Sequence, residues 1–331
     1  MKKALPTLLT LLAIAPGAVL AQSSVVVYGV ADAGLVYERG GAAQARNISS
    51  GIASGSRLGF KGTEELGNGL NANFVLESGF GIDTGASAQG GLLFGRQAYV
   101  GLSSRGAGAV TLGRQYSPYY RTLRDVADPF AIGLAGTASN LMTSNTRVDN
   151  MVEYVSPAFL GLSADLAYGA GESALGSDAN RTLGAALNYV RGPARMTLAH
   201  HRRDNASASD KASNTLLAVK YDFGAAQANF GYAANDGLAG ADSHDLLLGL
   251  SAPLGAHKLL ASYIRHVDEN AAAKDARQWA FGYLYSLSKR TDLYAAYAHI
   301  NNKNGATYKV GNATDIGTGN TGVNLGMRHA F

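Results

Sequence analysis

The chain has 331 residues, no cysteine, and a formal net charge of +4 from 28 basic and 24 acidic side chains. A charge this small argues against a nucleic-acid partner, and the lack of cysteine excludes disulfides, thiolate metal sites and cysteine nucleophiles. Charged residues make up 16% of the chain, against roughly 25% in soluble domains.

The N-terminal segment has the pattern of a leader peptide and is not expected to be part of the fold. Residues 1–21, MKKALPTLLTLLAIAPGAVLA, combine two lysines, a short apolar run, and small side chains at Val19 and Ala21. This three-part pattern predicts a secretory signal peptide, and the apolar run is too short for a membrane helix. We therefore expect residues 22–331 to form one exported domain. The alternative is a buried N-terminal helix.

After the leader, apolar and polar residues alternate with period two, most clearly in segments 183–190, 217–223, 278–287 and 323–331. Such alternation predicts strands with one apolar and one polar face. Their length suits tilted membrane strands of about 9–11 residues. We predict sixteen strands, which start near Val25, Ser54, Gly69, Leu93, Gly108, Val148, Gly161, Arg181, Ala194, Asn214, Ala226, Ser243, His257, Ala276, Thr291 and Asn320.

The connections between these strands alternate in length. Short turns rich in Gly, Pro or Asp, such as ELGNG and SRGAGA, alternate with longer polar loops, such as ERGGAAQARNISSG. Backbone groups in hydrocarbon must be satisfied internally, so only helices or closed barrels can cross a membrane. The pattern predicts an all-β, 16-stranded antiparallel transmembrane β-barrel, whereas a soluble sandwich gives no reason for such alternation. Closure requires the last strand to pair with the first, so we expect Phe331 to end a lipid-facing row.

One loop is exceptional. The segment 117–147 is longer than the roughly 15 residues beyond which an unstructured loop is unusual in a compact domain. The segment carries Arg121, Arg124 and two acids among apolar residues. This mixed content predicts that the third long loop packs inside something else.

Several motifs occur together in a characteristic order. The chain resembles the general-diffusion porins of Gram-negative bacteria, of the betaproteobacterial type, over residues 22–331. The resemblance rests on VYGVADAGLVY (27–37), SRLGFKGTEELGNGLNANFVLESGF (56–80), GRQAYVGLSS (95–104), VTLGRQYSPYY (110–120), NMVEYVSPAFLG (150–161) and the final phenylalanine. It implies a barrel with the third loop folded into the lumen, where wall bases face loop acids.

Candidate constriction residues follow from strand alternation and from the resemblance. Alternation turns Arg57, Lys61 and Glu77 toward the lumen, and the family keeps acids in the third loop, where Asp125 and Asp128 lie.

Three further arginines join the candidates. Arg147 stands at the return of the third loop, while Arg96 and Arg114 match the two GRQ motifs. Both GRQ arginines share the parity of apolar neighbours, so strict alternation aims them at lipid, where an arginine costs about 2–4 kcal/mol. We favour a bulge or strand end that turns each inward.

The resulting functional prediction is a passive, water-filled outer-membrane channel for small hydrophilic solutes and ions, with no enzymatic activity. Basic candidates outnumber acidic ones, so we expect a weak anion preference. The resemblance implies a homotrimer, contact with outer-membrane lipid and lipopolysaccharide, and Phe331 as a signal to the barrel-assembly machinery. We expect no cofactor, no metal and no nucleic acid.

Other classes of function have weaker support in the sequence. The sequence lacks G-x-S-x-G and P-loop motifs, and adjacent His200 and His201 point to opposite faces of a strand. A barrel hydrolase and a receptor or adhesin barrel stay open as alternatives. Tyr119 and Tyr120 stay open as contacts for a solute.

Overall fold

The computed structural model describes residues 24–41, 44–172, 178–311 and 317–331, so the predicted leader lies outside the described residues. Seventeen antiparallel strand segments form one sheet, which closes because β17 pairs with β1. The strands are β1 Ser24–Arg39, β2 Ala45–Ser50, β3 Arg57–Gly67, β4 Leu70–Gly79, β5 Gln97–Ser104, β6 Gly108–Tyr116, β7 Arg147–Val155, β8 Leu162–Gly169, β9 Thr182–Arg191, β10 Ala194–Asp204, β11 Lys211–Asp222, β12 Gln227–Asp236, β13 Asp242–Leu254, β14 His257–Asp268, β15 Ala276–Ser286, β16 Thr291–Asn302 and β17 Thr321–Ala330.

The helices are short. The segment that follows β6 carries α1 Pro118–Thr122, a π-helix Leu123–Ala127 and a 3-10 turn Ala138–Asn140; two other 3-10 turns are Gln89–Gly91 and Leu238–Gly240. Within the described ranges no helix is long and apolar enough to cross a membrane.

The wall has sixteen strands because β2 and β3 are two parts of one interrupted strand. Both pair with β1: β2 with residues 33–38 and β3 with residues 24–30. The predicted sixteen-stranded antiparallel barrel is confirmed, but the boundary of the second strand is wrong. Residues 45–50 belong to the wall and not to a loop.

The interruption at residues 51–56 is explained by contacts of Asp32 on β1. The Asp32 carboxylate accepts hydrogen bonds from the backbone N–H of Ala53 (3.0 Å) and Ser54 (2.8 Å). The same carboxylate accepts a bond of 2.7 Å from the Tyr294 hydroxyl on β16. These two backbone N–H groups therefore donate to Asp32 instead of to a carbonyl of the neighbouring strand. The wall strand is interrupted at this point.

The two faces of the wall differ as the alternation predicts. In β10, Met196 and Leu198 are 43% and 49% exposed, whereas Thr197 and Ala199, which alternate with them, are 1% and 0% exposed. The same contrast recurs around the barrel. The exposed apolar face is the surface that lipid or another subunit covers in a transmembrane barrel.

The third loop, residues 117–146, packs against the opposite face of the wall. Asn229 on β12 donates to the carbonyl of Val126 (2.7 Å), and Gln278 on β15 donates to the carbonyl of Gly136 (3.1 Å). Leu123 is fully buried in the apolar cluster that the loop shares with the wall. The buried core therefore lies between this loop and the wall strands.

The chain end closes the sheet. Gly29 and Phe331 exchange two backbone hydrogen bonds, of 3.0 Å and 3.1 Å, just beyond the last residue of β17. The Phe331 side chain stays 48% exposed. A Cβ at Gly29 would come within 2.3 Å of the Phe331 ring. The pairing expected of the last residue is therefore confirmed, and glycine is needed opposite it.

Candidate pore constriction

Four arginines converge at one level of the barrel, and we call them the arginine cluster: Arg57 at the start of β3, Arg96 just before β5, Arg147 at the start of β7 and Arg124 on the π-helix of the third loop. They line a common cavity of about 170 Å³.

Two stacked tyrosine rings hold the cluster together. The rings of Tyr116 and Tyr120 lie 4.9 Å apart, and the Tyr116 hydroxyl accepts bonds from Arg96 (2.7 Å) and Arg147 (3.3 Å). The guanidinium carbon of Arg124 lies 5.3 Å and 5.4 Å from the two ring centroids. Cations over aromatic faces are attracted by the ring quadrupole, so the rings hold the cations side by side.

Glu77 on β4 is the acid inside this group. It is 3% exposed, and its carboxylate accepts bonds from Arg96 Nε (2.8 Å) and the Tyr28 hydroxyl (3.0 Å). Arg57 Nη1 lies 4.0 Å from the second carboxylate oxygen. Because Glu77 is already engaged by these donors, it neutralises only part of the cluster.

Arg124 was not among the candidates, although a signal for it existed. It lies four residues after Tyr120, a spacing that places both side chains on one helix face. Its guanidinium makes two bonds, of 2.7 Å and 2.9 Å, to the Asp125 carboxylate. Burial lowers the pKa of Arg124, but the hydrogen bond and charge of Asp125 outweigh that effect and raise it. The loop thus brings a firmly charged base to the cluster.

Asp128 lies inside its own loop rather than on the cavity. Its carboxylate, 4% exposed, accepts bonds of 2.9 Å each from the backbone N–H groups of Phe130, Ile132 and Ala138. Burial raises the pKa of Asp128 to about 6, and the three donors oppose that shift. Asp128 is therefore an anchor of the loop backbone. It does not line the cavity of the arginine cluster.

A profile of Gram-negative porins matches residues 8–305 of the chain. This chain belongs to the Gram-negative porin family. Its relatives include an outer membrane porin protein of Bordetella pertussis, which is 32% identical over 95% of this chain and 96% of that protein. Another is outer membrane porin protein 32 of Delftia acidovorans, which is 33% identical over the full length of both.

A solved structure gives the same answer for the fold. An anion-selective porin from Comamonas acidovorans superposes with a TM-score of 0.83 and 28% identity, over 94% of this chain and all of that chain. The chain is thus a porin of the outer membrane, a channel for passive diffusion and not an enzyme.

Two predicted site residues lie apart from the arginine cluster of this porin. The β-sheet register shifts between Gly113 and Gln115, yet Arg114 stays opposite Ala98 on the exposed apolar parity. It donates to the carbonyl of Gly95 (2.7 Å) and forms an ion pair with Asp149. These contacts hold Arg114 away from the cluster, and it does not line the cavity there.

Lys61 shares the strand face of Arg57 but lies four residues further along β3. It is exposed, and its ammonium nitrogen lies 5.2 Å from the ring centroid of Tyr28. Arg96, by contrast, precedes β5, so its side chain is free of the strand alternation and reaches Glu77. The strand end, rather than a bulge, turns it inward.

The base of the third loop is tied to the wall by Arg121, a contact the sequence did not single out. Its guanidinium forms an ion pair with Glu153 on β7, lies 3.1 Å from Asp165 on β8, and donates to the Tyr116 carbonyl at 3.0 Å. The neighbouring Tyr119 is fully buried. It therefore cannot be the solute contact that the sequence left open.

Proposed function

We propose that the third loop of this porin enters the lumen, narrows it at the arginine cluster, and gives the channel a weak anion preference. The observation that carries the proposal is the local charge balance. Four guanidinium groups lie together with only two carboxylates, those of Glu77 and Asp125, so positive charge is in excess there. The likeness to a porin described as anion-selective supports the same reading.

Transport through the channel involves no chemical reaction. Small hydrophilic solutes and ions diffuse through water down their gradients, and the cluster changes only their local concentration. A unit charge at 4 Å in water contributes about 1 kcal/mol, which enriches a monovalent anion about fivefold. Salt screens this effect, so the preference is weak at physiological ionic strength.

The test is the reversal potential of the purified porin in a planar bilayer under a salt gradient. We expect the sign of an anion preference, and Arg57→Glu should move the potential toward cations. Arg105→Glu is the matched control, because Arg105 is exposed in the short turn between β5 and β6. A cation preference in the wild-type protein, or equal shifts in both variants, would refute the proposal.

We also propose the assembly state and partners implied by the resemblance. The porin forms a homotrimer that contacts outer-membrane lipid and lipopolysaccharide, and its terminal Phe331 is read by the barrel-assembly machinery. Single-channel records should show three equal closing steps. Phe331→Ala should reduce folded barrel in cells but leave detergent refolding unchanged. Equal losses in both settings would assign Phe331 to barrel stability alone.

A further inference from the structure

A second set of cations lies on the inner face of the barrel, next to the arginine cluster but outside the cavity that the cluster lines. We propose that Arg195, Lys220 and Lys258 form a basic row that concentrates anions at the periplasmic mouth and makes the conductance at low salt asymmetric. This inference rests on the proposed anion path. It adds specificity-determining residues to that path.

All three residues lie at one end of the barrel. Arg195 is the second residue of β10, Lys258 is the second residue of β14, and Lys220 is the third residue from the end of β11. The connections next to them, residues 192–193, 255–256 and 223–226, are all short. Short turns face the periplasm in outer-membrane barrels, so the basic row lies just inside the periplasmic mouth.

Strand parity turns the row toward the lumen. Arg195 has the parity of the buried Thr197 and Ala199, Lys220 that of Ala218, and Lys258 that of Leu260. The residues next in sequence, such as Met196, Tyr221 and Leu259, belong to the exposed apolar face.

No member of the row is held in an ion pair by a described residue, although the exposed Asp222 carboxylate lies close enough to Lys220 to interact with its charge. Arg195 and Lys220 are direct cross-strand neighbours, an arrangement of like charges that destabilises a sheet. Among the described residues, no acidic group forms an ion pair with any member of the row. Arg328 at the same end differs, because Asp292 lies 2.6 Å from its guanidinium. The row thus keeps its charge available to ions in the lumen.

The row adjoins the arginine cluster. Lys220 Nζ donates to the backbone carbonyl of Asp125 at 3.3 Å, and the Asp125 carboxylate is held by Arg124 of the cluster. An anion that leaves the cluster toward the periplasm therefore passes directly into the field of the row.

The physical consequence is that the channel current depends on ionic strength and on the side of the membrane from which the ions enter. The Debye length is about 30 Å at 0.01 M salt and about 3 Å at 1 M. At low salt the row raises the anion concentration at one mouth only, so current driven from that side is larger. At high salt the asymmetry disappears.

The experiment compares single-channel current–voltage curves at 0.01 M and 1 M salt. The wild-type porin should rectify at low salt, and the double variant Arg195→Gln/Lys258→Gln should lose about half or more of that rectification. Lys274→Gln is the matched control, since it removes one charge in the connection between β14 and β15, at the opposite mouth. Its effect on rectification should be absent or of opposite sign.

A chemical variant tests the row in the folded channel. The chain has no cysteine, so Lys258→Cys can be modified in an inserted channel. A cationic methanethiosulfonate should restore the low-salt rectification and an anionic one should reduce it further, both faster from the periplasmic side.

The outcomes separate the two proposals. If the row variants keep the wild-type curves at 0.01 M salt, or both reagents act alike, the basic row is overturned while the anion preference stands. If the wild-type reversal potential shows a cation preference, the proposed function fails whatever the rectification.

Discussion

Asp128, which anchors the backbone of the third loop, provides the sharpest test of the proposal that this loop narrows the lumen. Asp128→Ala removes three hydrogen bonds to the backbone N–H groups of Phe130, Ile132 and Ala138. Each buried donor left without a partner costs about 1–3 kcal/mol. The loop should therefore lose at least about 3 kcal/mol relative to a detached state, which shifts that equilibrium about a hundredfold. The wall strands keep their own bonds, so the barrel itself should stay folded.

The measurement is open-channel current noise together with the rate at which proteoliposomes swell in sugars of increasing size. At pH 7.5, above the pKa of about 6 of Asp128, the variant should be noisier and should admit larger sugars. Asp128→Asn should be intermediate, because its amide oxygen can still accept. Asp83→Asn removes the same charge from an exposed position between β4 and β5, without touching the anchor or the arginine cluster, so its noise should match that of the wild type.

The reasoning is refuted if Asp128→Ala shows wild-type noise and wild-type swelling rates while its barrel is folded. Increased noise in Asp83→Asn to the same degree would also contradict it, because loss of charge rather than loss of the loop anchor would then control the fluctuations.

Two further substitutions test the closure of the barrel and the base of the loop. Gly29→Ala should lower the thermal unfolding midpoint in detergent, by an overpacking cost of about 1–3 kcal/mol, since the new Cβ would meet the backbone oxygen of Arg57 at 2.6 Å as well as the Phe331 ring at 2.3 Å. Arg121→Ala leaves the buried Glu153 and its neighbour Asp165 without their shared cation. Removing one partner of a buried pair costs about 3–5 kcal/mol, so the unfolding midpoint should fall further.

Each of these variants has a control. Gly106→Ala adds a Cβ that meets nothing within 4 Å, so its unfolding midpoint should not change, and an equal loss there would remove the argument from packing at Gly29. For Arg121, the triple variant that also replaces Glu153 and Asp165 by glutamines should recover much of the loss. No recovery would mean that Arg121 acts through packing rather than charge.

The sequence predicted the wall well because membrane strands obey a strict physical rule. Every second side chain faces hydrocarbon, so the alternation in segments such as 183–190 and 323–331 specifies both strand and face. The break between β2 and β3 escaped prediction, since it depends on Asp32, nearly twenty residues before the break, and on Tyr294 from the far end of the chain.

The candidate site was predictable where strand geometry controls it and not where loop geometry does. Arg57, Glu77, Arg96 and Arg147 are brought together by adjacent strand ends. Asp128 instead bonds to the backbone of its own loop. These contacts depend on how the loop folds, and a loop has no periodic sequence pattern from which they could be predicted.

The support of the third loop has a consequence for assembly. The backbone N–H of Leu134 in that loop bonds to the carbonyl of Ile52, within the segment that Asp32 holds. Asp32 in turn bonds to Tyr294, two strands away across the seam where β1 meets β17. In the proposed channel, the support of the narrowing loop thus crosses the seam between β1 and β17, and a barrel in which that seam is open would lack this support.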